Sequence, residues 1–199
     1  MKKALLVLDI QQDYFSEHAR MPVAKQQIVP LLKCINDLIE KAIGLDVPVI
    51  YIRNEFEWTQ LFSNLLRKFT ALKGSKGAEY DKRLLQVEGV SFSKNKADAF
   101  SNPHLATYLS NNDIHELIVT GVFSEGCVSA TVNGALSRNF TVTVVEDAVA
   151  GATDNSRNMA LSKLATQDVL IYTSQQIFES KSHEGGNRND HFAKINPAG

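Results

Sequence analysis

A chain of 199 residues with 44% hydrophobic side chains, five prolines and eleven glycines can bury one large core and is neither a fibrous nor a disordered sequence. Its 21 lysines and arginines balance 22 aspartates and glutamates, so it lacks the basic footprint of a nucleic-acid or anionic-membrane binder, and small molecules become the expected partners. The first apolar run, ALLVL (4–8), is broken by Asp9, which makes it too short for a membrane span or a secretory signal; a cytoplasmic protein is expected.

In chain order, ALLVL (4–8) reads as the first strand. Next, Ile28, Leu31, Leu32, Ile35, Leu38, Ile39 and Ile43 recur at helical spacing, with Gly44 placed as a C-cap and Cys34 on the flank of that helix. VPVIYI (47–52) is the second strand, and Leu61, Phe62, Leu65, Leu66 and Phe69 repeat the helical pattern, with Gly74 beyond. VSF (90–92) and ELIVT (116–120) are the third and fourth strands. After them GVFSEGCVSATVNGAL (121–136) offers Ser124 as an N-cap for a helix running to Ser137, with Cys127 in its first turn. TVTVV (141–145) is the fifth strand, Asp147 reads as a cap for the next segment, residues 155–165 form another helix, and VLIY (169–172) is the sixth strand. The runs are mostly uninterrupted, which suits strands covered on both faces. Their alternation with helices predicts right-handed crossovers and one three-layer α/β/α domain over 1–178. The polar stretch 179–199 reads as a tail or an arm.

In an open parallel sheet the ligand crevice lies beyond the carboxyl ends of the strands, where the strand order reverses. There the sequence places Asp9 after strand one, Lys94 and Lys96 after strand three, and Cys127 after strand four. A helix start and a nearby ammonium both favour thiolate over thiol. Asp9 can take the thiol proton and return it to a leaving amine. Asp13, four residues further on, is expected to be structural; Lys94 and Lys96 share a strand face, and spacing to Phe100 favours Lys94. Both cysteines are expected to be free thiols in a reducing compartment. The histidines at 18, 104, 115, 183 and 191 form no pair at ligand spacing, so no metal and no other cofactor is expected. Tyr14, Phe56, Trp58 and Phe123 lie on the predicted crevice loops and are candidate substrate contacts.

DIQQDYF (9–15), KNKADAF with Lys94 six residues before Phe100, GVFSEGCV (121–128), VEDA (145–148) and the Gly-rich GSKGAEYDKRL (74–84) together resemble the isochorismatase-like cysteine hydrolase superfamily. The resemblance implies a doubly wound, mostly parallel sheet of six strands in the order 3-2-1-4-5-6. It also implies a catalytic triad, which maps onto Asp9, Lys94 and Cys127, and a cis peptide between Val122 and Phe123 that turns the N–H groups of Phe123 and Cys127 toward one point as an oxyanion hole. Relatives commonly form dimers or larger assemblies, so a homo-oligomer is expected by analogy.

Two departures from the family pattern bear on function. Nicotinamidases of the superfamily carry an Asp-x-His pair and further histidines after strand two to hold a metal, whereas this chain reads RNEFEW (53–58). Isochorismatases proper lack the nucleophilic cysteine, so Cys127 points to the amidase-like branch: a cysteine hydrolase that cleaves a C–N bond of a small amide-type substrate through a thioester. The alternatives are a vinyl-ether hydrolase with Asp9 as acid and Cys127 as bystander, and a non-catalytic binding or redox-sensing protein with an oxidisable Cys127.

Overall fold

Six strands, β1 (Lys2–Leu8), β2 (Val49–Asn54), β3 (Val90–Lys94), β4 (Ile114–Val122), β5 (Thr141–Ala150) and β6 (Val169–Tyr172), form one sheet in the order β3-β2-β1-β4-β5-β6. Every neighbouring pair is parallel. The computed structural model describes residues 1–179; the tail or arm expected over 179–199 lies, beyond Glu179, outside the described residues. Seven α-helices accompany the sheet among those residues: α1 (Gln12–Phe15), α2 (Lys25–Gly44), α3 (Leu61–Leu66), α4 (Pro103–Asn111), α5 (Ser129–Leu136), α6 (Asp154–Leu164) and α7 (Gln176–Glu179). None of them is long and apolar enough to cross a membrane.

The uninterrupted apolar runs follow from burial on both faces. Leu5 and Val7 of β1 join one core with Leu31, Ile35, Leu38 and Ile39 of α2 and Ile177 of α7. Ala4, Leu6 and Leu8 join the opposite core with Leu105 and Leu109 of α4, Val132 of α5 and Leu164 of α6. The covering helices therefore change sides between β1 and β4, and the crevice opens at that switch point. Gly121 makes the pairing of these two strands possible at its upper end. A Cβ there would stand 2.1 Å from the Leu8 carbonyl oxygen, and its φ of +116° is one that side-chain-bearing residues avoid.

Several local expectations are corrected. α2 runs through Gly44, and the left-handed residue after it is Asp46, at φ +53°, whose short polar side chain tolerates that conformation. α4 has no counterpart among the predicted elements; Asn102 caps it by accepting from the His104 N–H, and Pro103 fills its first turn. β5 continues past Val145 to Ala150 after a break in register, from Val119 opposite Val144 to Gly121 opposite Val149. Asp147 thus lies within β5, where its carboxylate accepts from the N–H and hydroxyl of Ser174 and braces the turn after β6 rather than capping a following segment. The helical pattern from Leu61 to Leu66 does form α3, with Leu61, Phe62, Leu65 and Leu66 64–76% exposed.

Candidate active site

Asp9 is the first residue past β1. It adopts φ +57°, donates its N–H to the Ile52 carbonyl at 2.8 Å and is wholly buried. Lys94 ends β3 in register with Asn54, which ends β2. The Lys94 Nζ is buried and shares its three N–H bonds among four acceptors, Asp9 Oδ2 at 2.9 Å, Asn54 Oδ1 at 2.6 Å, the Lys96 carbonyl at 3.3 Å and the Cys127 sulfur at 3.2 Å. This separates the two lysines, since Lys96 is exposed and contributes only its carbonyl.

Cys127 reaches the cluster through an irregular segment. The Val122–Phe123 peptide is cis, Ser124–Val128 make one π-helical turn in which Gly126 is non-helical, and the regular helix begins only at Ser129. Ser124 is therefore not an N-cap. Its hydroxyl donates to Glu125 Oε2, while Glu125 Oε1 accepts from the Ala152 N–H at 2.9 Å and the Ser156 hydroxyl at 3.0 Å, pinning the turn to the start of α6.

Burial dominates the electrostatics. It raises the Asp9 pKa above the ordinary carboxylate value, against the opposing pull of the Lys94 charge and the Cys127 thiol. Burial also pushes the Cys127 thiol up to about 11; the Asp9 charge adds to this and Lys94 opposes it. The expectation that helix start and lysine would leave a resting thiolate is thereby corrected. Burial works against the Lys94 charge as well, yet Asp9 and Cys127 outweigh it and hold the ammonium pKa above its usual value. One cation thus faces two acidic groups, each disfavoured as an anion by burial. The second Asp9 oxygen, Oδ1, is buried without a hydrogen-bond partner among the described residues and stands free to receive a proton.

Residues 3–176 match the isochorismatase domain. This chain belongs to the isochorismatase family of hydrolases. It is 28% identical over 183 residues to the uncharacterized isochorismatase family protein YaaI of Bacillus subtilis, covering 89% of this chain and 97% of that one. It is 32% identical over 125 residues to an N-carbamoylsarcosine amidase of Arthrobacter, covering 58% of this chain and 46% of that protein. The crystal structure of an isochorismatase-like hydrolase from Alkaliphilus metalliredigens superposes with a TM-score of 0.83 at 23% identity, over 90% of this chain and 98% of the other.

Within this isochorismatase-family site the candidate aromatics divide. Tyr14 and Phe123 meet edge to face with ring centroids 5.2 Å apart, and the Tyr14 hydroxyl is 3.4 Å from Asn54 Nδ2. Phe56 instead turns into the core beneath the Arg67 guanidinium, 3.8 Å from its ring centroid. Trp58 lies on the surface, 60% exposed, with its indole N–H on the Lys73 carbonyl. Asp13 is structural: its carboxylate accepts from the Ala71 N–H at 2.7 Å and occupies the space that a side chain at Gly77 would need. Cys34 is half-buried on α2, its thiol raised to about 11 by burial.

The residues after β2 do not fit a divalent cation. Asn54 is committed to Lys94, Phe56 is in the core, Glu55 pairs with Arg53 at 3.1 Å and Glu57 with Lys73 at 2.8 Å. Beside Lys94 these two glutamates, with Ser93 and Asn102, border an open cavity of about 220 Å³.

Two further residues complete the cluster, and neither is marked by the sequence pattern. Asn54 accepts from Lys94 and donates to the Cys127 sulfur at 3.7 Å. Gln11, wholly buried, accepts from the Asn54 N–H at 2.9 Å and donates to the Asn54 and Ala78 carbonyls, both at 2.8 Å. Neutral amides carry no charge or spacing signal in a single sequence. The one hint was a glutamine directly after the Asp9-Ile10 strand end, where burial demands partners.

Proposed function

We propose that this protein hydrolyses a carbon–nitrogen bond of a small amide or ureide through a thioester on Cys127. The observation that carries this reading is the buried Lys94 ammonium, 2.9 Å from the Asp9 carboxylate and 3.2 Å from the Cys127 sulfur. The relative named as an N-carbamoylsarcosine amidase supports an amide-type substrate.

In the resting site Lys94 is cationic, Asp9 is the carboxylate and Cys127 the thiol. The thiol proton passes to Asp9 Oδ1 as the sulfur adds to the substrate carbonyl, and Lys94 stabilises the negative charge wherever it resides. The Phe123 and Cys127 N–H groups are the proposed donors to the developing oxyanion, each worth about 3 kcal/mol in sites of this kind. Asp9 then gives its proton to the departing amine as the C–N bond breaks, leaving a thioester and a carboxylate. A water surrenders a proton to Asp9 while its oxygen attacks the thioester. Collapse releases the acid and returns the proton to the sulfur.

The test pairs turnover of an activated amide, p-nitroacetanilide, with intact-mass analysis of the enzyme. An acetyl adduct confined to Cys127, and loss of both adduct and turnover in Cys127→Ala, are the expected results. Turnover that survives in Cys127→Ala would leave Asp9 as the principal catalyst and remove the thioester.

A further inference from the structure

We propose that Asn54 is a positioning residue that sets the protonation balance between Asp9 and Cys127, an inference resting on the thioester reading above. A lysine ammonium can only donate, so the oxygen of the Asn54 amide faces Lys94, at 2.6 Å. Its nitrogen therefore faces the other way, toward the Cys127 sulfur at 3.7 Å and the Tyr14 hydroxyl at 3.4 Å. One side chain thus holds the cation with its acceptor and offers a donor to the nucleophile.

The arrangement depends on Asn54 being uncharged. Lys94 is the only cation hydrogen-bonded to Asp9 and Cys127 among the described residues. A carboxylate at position 54 would add a second anion beside Lys94 and spend the cation's field on a group that does no chemistry. Serine or threonine would not span from the Lys94 nitrogen to the sulfur. The backbone is equally constrained, because Gln11 makes two reciprocal hydrogen bonds with the Asn54 peptide and ties it to Ala78. The amide is therefore aimed by a buried, closed network, and rotation about its side chain would break bonds on both sides at once.

A structural filler at this position would leave the thiol titration where it is; a positioning residue would not. The readout is the pH dependence of Cys127 alkylation by iodoacetamide, followed by intact mass in the full-length protein. Asn54→Asp, nearly isosteric, is expected to move the midpoint to higher pH by about one unit or more. Asn54→Leu, which removes the donor to sulfur, should move it in the same direction by less. Wild-type protein carrying ¹⁵N-asparagine supplies a measurement that needs no variant to fold: the Asn54 side-chain amide resonance should titrate with the thiol and shift on alkylation. Profiles of both variants superposing on wild type, or an Asn54 amide resonance indifferent to the state of Cys127, overturn the proposal. If Cys127→Ala keeps full turnover, the thioester reading fails instead, whatever the alkylation profiles show.

Discussion

Two regions near the carboxyl ends of β2 and its neighbours reverse the usual placement of side chains in opposite ways. In one, Asp9, Gln11, Asn54 and Lys94 are polar and at most 4% exposed; in the other, Leu61, Phe62, Leu65 and Leu66 of α3 are apolar and mostly exposed. The polar cluster opposes a desolvation cost of several kcal/mol per ion, so it is held only because nearly every atom has a partner. The apolar helix leaves unused about 1.5–3 kcal/mol of burial per large side chain. The contrast shows where specification lies. A buried polar group demands one arrangement, whereas an exposed apolar one tolerates many, and chemistry is to be sought in the former.

The largest effect is expected at Cys127. Replacement by alanine should lower turnover of p-nitroacetanilide by about 10⁴-fold or more while the urea midpoint stays near wild type, which separates chemistry from folding.

Lys94→Met should cost about 3–5 kcal/mol in urea unfolding at pH 7, because it strands the Asp9 carboxylate in a buried site. The sign of its pH dependence follows from the raised folded-state pKa of Asp9. The folded form then holds a proton more tightly than the unfolded chain, so the deficit should shrink on acidification as Asp9 becomes neutral. A deficit that grows on acidification would contradict the assignment.

Gly121→Ala should lower stability by at least about 1–3 kcal/mol from its backbone conformation alone, with the clash against the Leu8 carbonyl added; thermal unfolding measures it. Asp9→Asn removes the charge that helps raise the Cys127 thiol to about 11, so iodoacetamide alkylation should begin at lower pH even as turnover is lost. At the small end, Phe62→Ser and Leu65→Gln on α3 should change urea stability by no more than about 0.5 kcal/mol. A larger loss would mean that this face is covered in solution.

Much of the fold was legible because it rests on local pattern. Each of the six apolar runs falls within or overlaps an observed strand, and the helical periodicity from Ile28 to Ile43 lies inside α2. The errors fall where local pattern is ambiguous. Gly44 and Ser124 both look like caps, although α2 runs through the first and the chain follows a π-helical turn at the second. At the candidate site, Asp9 and Cys127 stood out by their positions after apolar strands, whereas Asn54 and Gln11 did not, since their importance arises only from the groups they touch.

The sequence by itself determined the alternation of strands and helices, the uninterrupted apolar runs and the residue types available at the crevice, because hydrophobic periodicity and strand-end positions are properties of neighbours along the chain. Only the tertiary structure decided that the Lys94 ammonium reaches both Asp9 and Cys127, that Asn54 and Gln11 join them, and that burial pushes the Cys127 thiol up to about 11. Desolvation and Coulomb interactions depend on groups up to 118 residues apart, as Asp9 and Cys127 are, and these acquire their values only when the strands bring such groups into one buried space.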